Sequence, residues 1–111
     1  MDCLVINIAE DFSRCPGARY PSEGDFSGEE FRNNYLKPTI EEALKKGQRV
    51  RIILDGSAGY STAFLEEAFG GLVREDGFTP DQLEIIDYVS DEDTTYIDDI
   101  KTYIKDASQH S

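Results

Sequence analysis

The sequence predicts a single α/β domain in which a small mixed sheet packs against helices. Three observations carry the prediction. Short apolar runs in "CLVINIAE", "QRVRIILDG" and "LEIIDYV" read as strands, and the segments between and after them repeat their apolar residues at helical spacing. Cap and turn residues stand at the joins. A chain of 111 residues with 39% hydrophobic content is long enough for one layered core and too short for two. Strands alternating with helices of this length imply parallel crossovers.

The elements follow in order. In "CLVINIAE", Leu4, Ile6 and Ile8 alternate around Val5, as in a strand buried on at least one face. "SRCPGARYPSEGD" gathers Pro16, Gly17, Pro21 and Gly24 into turns, with room for a short edge strand around Ala18 to Tyr20. "FSGEEF" is a capping box, Ser27 three residues before Glu30, with Phe26 and Phe31 placed as a hydrophobic staple. The helix that begins there carries Phe31, Tyr35 and Leu36. Pro38 interrupts it, so a kink or a second short helix to Lys46 is expected, closed by Gly47.

In "QRVRIILDG", Val50 and Ile52 to Leu54 are nearly continuously apolar, as in a central strand covered on both faces. The next helix has a core-facing stripe of Phe64, Leu65, Ala68, Phe69, Leu72 and Val73. Gly70 and Gly71 within it each cost roughly 1 kcal/mol relative to alanine, which implies a close approach there, inside the fold or across an interface. Gly77 ends this helix, and Thr79 and Pro80 open a short helical turn before "LEIIDYV". From about Asp91 a final helix presents Tyr96, Ile97, Ile100, Tyr103, Ile104 and Ala107 on one face. Acidic residues crowd its start and Lys101 and Lys105 its end, matching the helix dipole, with 105–111 as a polar tail.

Charge narrows the function. The net charge is −12, and from Glu75 to Ile100 there are ten Asp or Glu and no Lys or Arg. Such a field repels nucleic-acid backbones and anionic lipid, so neither nucleic acid nor membrane is an expected partner unless Arg14, Arg19 and Arg32 form a local patch. No apolar run reaches the roughly 20 residues that span a bilayer, and the start lacks a signal-peptide pattern, so a cytoplasmic location is expected. Cys3 and Cys15 are too few and too far apart for a zinc knuckle or a CxxC redox pair, and read as idle or buried thiols.

The chemistry-bearing candidates lie in "LDGSAGYSTAFLEEAFGG". "GYSTA" imitates a nucleophile elbow around Ser61 between a strand and a helix. The base would have to be His110, the only histidine, one residue from the C-terminus, and hydrolases of this type need far more chain. There is no phosphate-binding G-x-x-x-x-G-K-[ST], and "DGSAG" lacks the third glycine of a dinucleotide fingerprint. "DEDTTYIDD" lacks the glycine and distant glutamate of a calcium loop and reads as an acidic helix start. Asp55 stands where α/β sites are built, yet aspartate there also suits turn chemistry. No catalytic residue, metal or cofactor is therefore assigned.

The stretch "LDGSAGYSTAFLEEAFGGLV", together with "PGARYPSEGDFSGEEFR", resembles the STAS-like family of small bacterial domains, over about Val5 to Ile104. The resemblance implies a fold related to STAS domains, the anti-sigma-factor antagonists and transporter tails. It also implies a non-catalytic regulatory module that binds a protein partner, such as a histidine-kinase-like ATPase, through the loop–helix surface 56–72. The residues expected to contact the partner or act as a switch are Asp55, Gly56, Ser57, Tyr60, Ser61, Thr62, Glu66 and Gly70. In STAS antagonists a serine at the start of this helix is phosphorylated; here Ala63 occupies that position, with Ser61 and Thr62 just upstream. A phosphate there would meet helix N–H groups but face Glu66 and Glu67, so Ser61 or Thr62 is expected to cap the helix instead. The alternative is a small hydrolase or transferase using Asp55, Ser57 and Ser61, and a third reading is small-ligand binding at the strand ends.

Overall fold

A computed structural model describes residues 3–109. Strand β1 (Cys3–Asn7) leads through a π-helical turn, Ile8–Phe12, and a short 3-10 turn, Pro21–Glu23, to α1 (Gly28–Phe31). A second π turn, Arg32–Leu36, joins α1 to α2 (Lys37–Lys46), so 28–46 is one continuous helical stretch. Strand β2 (Arg49–Ile53) follows, then α3 (Thr62–Leu65), a π turn Glu66–Gly70 and α4 (Gly71–Arg74), again continuous. The chain ends with α5 (Pro80–Leu83), β3 (Ile86–Val89) and α6 (Thr95–Gln109).

Local chemistry explains these boundaries. Ser27 Oγ accepts the Glu30 N–H at 3.1 Å and the Glu30 carboxylate accepts the Ser27 N–H at 3.3 Å, the reciprocal box its spacing predicts. Thr79 and Gln82 form a second such box at α5. Gly47 closes α2 in the left-handed region at φ 67°, its N–H bonded to Ala43 O. Pro38, which has no N–H, does not break the helix; it sits in the first turn of α2, just after the π turn.

The sheet has the order β1-β2-β3, and its described strands are all parallel, Val5 lying opposite Arg51 and Arg51 opposite Asp87. The α/β class and the helix-backed sheet agree with the sequence; the sheet, expected to be mixed, is parallel throughout its described strands because every connection between them is a helical crossover. The edge strand expected around Ala18 to Tyr20 is absent among the described residues. That segment instead turns back on the start of α1, where Ala18 O and Arg19 O accept the N–H groups of Gly28 and Glu29 at 2.9 and 3.1 Å. These are two of the four donors that a helix start leaves unpaired.

Strand β2 is also covered on one face only. Val50 and Ile52 are buried, whereas Arg49 and Arg51 are exposed between them. Right-handed crossovers in a sheet of sequential order put both connecting helices on the same face, which leaves the other bare. The alternation of arginines in "RVRII" was therefore the better guide than the apolar run.

The stretch 62–74 is the centre of the helical layer, packed between 28–46 on one side and α6 on the other. Phe64, Ala68, Phe69 and Leu72 are fully buried there, with Phe31, Leu36, Ile40, Ile52 and Ile100 around them. Gly28 permits the crossing of α1 and α3, because a Cβ on it would stand 2.7 Å from Phe64 O. A Cβ on Gly71 would collide with the Arg32 guanidinium, and one on Gly70 would stand 2.7 Å from the Glu66 carboxylate and 3.5 Å from Tyr103 O. The glycine pair thus serves an approach inside the fold. Helix α6 continues to Gln109 with Ala107 buried on its Ile100–Ile104 stripe, so 105–109 belong to the helix rather than to a tail.

Candidate functional site

The loop after β2 is fastened at every polar side chain the sequence singles out except Thr62. The Asp55 carboxylate accepts the N–H groups of Asp91 and Glu92 at 3.0 and 2.9 Å, and Glu92 accepts the Gly56 N–H at 2.8 Å. This ties the β2 loop to the β3 loop across the ends of the strands. Ser57 Oγ accepts the Gly59 N–H at 3.2 Å, closing a local turn. The Tyr60 hydroxyl donates to Leu54 O at 2.7 Å, and its ring stacks on Phe64 and meets Tyr96 edge-on. Burial, outweighing a hydrogen bond with Ser57, pushes the phenol up to about 12.

Ser61 is the N-cap. Its Oγ accepts the Phe64 N–H at 3.0 Å and donates to Gly17 O at 3.3 Å. Thr62 is the first helical residue, exposed, and Ala63 behind it is half-buried. Asp55 and Ser61 are thus each committed to backbone groups in different directions. His110 lies outside the described residues.

Of the residues expected on a partner surface, one is buried and one is tied into an ion cluster. Gly70 is buried under α6, where no partner can reach it. Glu66 is half-buried and held by two arginines, Arg19 and Arg74, the latter at 2.5 Å. Burial alone would raise the Glu66 carboxyl, but the hydrogen bonds from Arg74 and Arg19 outweigh it and hold it below the ordinary glutamate range. The surface 56–72 is consequently exposed only at its loop end, in Gly56, Ala58, Ser61 and Thr62.

Beside Glu66 lies an ion cluster that sequence reasoning missed. Arg32 and Glu67 are 5% and 2% exposed, and the Arg32 Nη1 donates both to the Glu67 carboxylate and to Glu67 O, the latter at 2.8 Å. Asp76 Oδ2 lies 3.2 Å from Arg32 Nε as an ion pair, though neither atom has a hydrogen-bond partner among the described residues. Arg74 reaches Glu67 at 3.3 Å. The second and third π turns each supply one member of the central pair, Arg32 from Arg32–Leu36 and Glu67 from Glu66–Gly70. A signal existed: Glu67 falls three residues after Phe64 and four before Gly71, on a face that cannot be solvent-exposed if both are interior.

The exposed loop Gly56–Thr62 is joined by a second one. Arg14 O accepts the Ala58 N–H at 2.7 Å and Phe26 O accepts the Gly17 N–H at 2.8 Å, so the segment 14–27 and the β2 loop form one surface. Its prominent features are Tyr20 and Phe26, 42% and 45% exposed. Phe26 holds φ at 57°, a left-handed conformation that is an outlier for a bulky side chain. Its ring packs edge-on against Phe12, which in turn contacts Phe31, so the staple expected between Phe26 and Phe31 runs through a third ring. A shallow cleft of about 340 Å³ adjoins this surface, lined by Asn7, Arg14, Asp55 and Glu92 among others. Among the described residues no group of three or more His, Cys, Asp or Glu is arranged to hold a metal ion, and no helix is long and apolar enough to cross a membrane.

Parallel described strands, helices on one face and a capped loop–helix junction after the central strand define a small two-layer α/β domain. The chain belongs to the family of STAS-like domains of unknown function (DUF4325), matched over residues 27–93. That span runs from the Ser27 cap to the loop that Asp55 fastens. No curated protein and no solved structure matches the chain.

Proposed function

We propose that the chain is a non-catalytic regulatory module that binds a protein partner, with a histidine-kinase-like ATPase as the leading class, through the surface formed by Gly56–Thr62 and the adjoining segment 14–27. The observation that supports this most is Phe26. A large aromatic side chain is kept half-exposed in a backbone conformation that costs of order 1–3 kcal/mol, beside the N-cap of the helix. Exposed aromatics at the centre of an interface supply most of its binding energy. Membership of a STAS-like family supports the same reading, and the commitment of Asp55 and Ser61 to backbone groups weighs against the enzyme alternative.

Phe26→Asn tests the proposal cleanly, because asparagine tolerates the left-handed region. The variant is expected to match or exceed the wild type in thermal stability while losing a partner that cross-linking and mass spectrometry recover with the wild-type protein from its source cell. Equal recovery by both proteins, or no partner with either, overturns it. Ester, phosphate and glycoside substrates tested with wild type and Ser61→Ala address the enzyme reading.

A further inference from the structure

Away from the loop surface, an open groove of about 790 Å³ runs along the free edge of β3, between that strand and α6. β3 is the last strand of the sheet. Ile85 O and Val89 O accept the N–H groups of Val50 and Leu54 at 3.0 and 2.8 Å. By strand alternation Ile85, Asp87 and Val89 turn their backbone groups to β2, and Ile86 and Tyr88 turn theirs outward. Helix α6 packs on the 62–74 helix and on α5 more closely than on β3, so it overhangs the edge without covering it.

The groove is amphipathic. Leu83, Tyr88, Ile97 and Ile104 contribute apolar surface. Asp87 is neutralised by Arg49, which reaches both its oxygens at 2.8 Å. On the helix side stand Lys101 and Lys105, one turn apart, and neither ammonium has a hydrogen-bond or ion-pair partner among the described residues. Glu84 is the other carboxylate in the lining, so with Arg49 and Asp87 paired the two lysines still leave the groove a formal charge of +1 (Arg49, Lys101 and Lys105 against Glu84 and Asp87) in a chain of net charge −12.

We infer that this groove takes an extended segment of a partner protein as a fourth strand, with apolar side chains at alternate positions and a carboxylate toward Lys101 and Lys105. The strand edge supplies main-chain hydrogen bonds, the overhanging helix buries one face of the added strand, and the lysines select its charge. The length of β3, roughly 13 Å at about 3.3 Å per residue, suits a four-residue contact. A second copy of the chain fits poorly, since pairing two β3 edges would bring together two molecules of net charge −12. The site is independent of the loop surface.

The test pans displayed random dodecapeptides against the full chain and follows an enriched peptide by amide hydrogen exchange. Enriched sequences are expected to alternate apolar residues and carry Asp or Glu, and binding is expected to slow exchange at the Ile86 and Tyr88 amides. Proline at the peptide's central position removes binding. Lys101→Glu with Lys105→Glu weakens it about tenfold, and the double glutamine variant, which only neutralises, falls between. Phe26→Asn leaves the affinity unchanged, which separates this site from the loop surface. The inference is overturned if enriched peptides leave both amides unprotected. It is also overturned if decanoate occupies the groove while no peptide is enriched, or if the amides become protected without peptide as the sedimenting mass doubles.

Discussion

Replacing Glu67 with glutamine should destabilise the domain by about 3 kcal/mol. Removing one partner of a buried ion pair typically costs about 3–5 kcal/mol, because the remaining charge stays in a medium that cannot solvate it. Arg32, 5% exposed, is that remaining charge. The lower end of the range applies, because Glu67 O still accepts from Arg32 at 2.8 Å and Asp76 still stands 3.2 Å from its Nε. Arg74 also loses a contact at 3.3 Å, but it is largely exposed and water replaces that partner. At a urea slope of about 1.5 kcal/mol/M the unfolding midpoint should fall by about 2 M. Combining the change with Arg32→Met should cost less than the sum of the two single losses, by on the order of 2 kcal/mol, since the double variant leaves no unmatched charge between the two positions. A loss below about 1 kcal/mol, or strictly additive losses, would refute the assignment of the pair as a coupled buried unit.

Three further outcomes are expected. Ser61→Ala should cost about 1 kcal/mol through the lost N-cap, read as a shift in the urea midpoint, and should loosen the 14–27 segment by removing the bond to Gly17 O. Asp55→Ala strips the acceptors from two backbone donors and should speed amide exchange at Asp91 and Glu92, with a stability loss of about 1–3 kcal/mol. For Glu66 the sign follows from its lowered folded value. The unfolded carboxyl, near 4.5, binds protons that the folded one refuses, so its contribution is complete above about pH 4.5 and is lost as pH falls through the folded value. Glu66→Gln should therefore flatten the rise of stability with pH in that acidic window, measured by urea unfolding across a pH series, and an unchanged slope would contradict the assignment.

What the sequence made legible was local. The Ser27 box, the Thr79 box, the Gly47 terminus and the Ser61 cap each depend on residues within four positions of one another, and each formed as its spacing implied. The features that escaped depend on residues far apart in the chain. Arg32 and Glu67 are 35 residues apart, and nothing near Arg32 reveals that it will lie against Gly71. The glycine pair announced a close approach but could not say that an arginine makes it. The edge strand failed for the same reason, because the 18–20 carbonyls found partners at a helix start rather than in a sheet. Phe26 read as half of a staple, and only its backbone angle and exposure mark it as something more.

The ion cluster also changes the argument about the switch position. In the sequence alone, Glu66 and Glu67 oppose any phosphate placed at the start of the helix. In the fold, Glu66 and Glu67 follow the first turn, and Glu66 is paired with Arg19 and Arg74 and Glu67 with Arg32, so both carboxylates are already matched by guanidinium groups. Electrostatics therefore no longer decides against modification; hydrogen bonding does. A phosphorylated Ser61 could still accept the Phe64 N–H, but it would have no proton to donate to Gly17 O, the bond that fastens the 14–27 segment to the helix start. Thr62 is exposed but stands at the first helical position, and Ala63 has no hydroxyl. The junction holds Tyr20, Phe26 and the Gly56–Thr62 loop together through the Ser61–Gly17 and Ala58–Arg14 bonds, and that pre-organisation would lower the ordering cost of the partner binding proposed above.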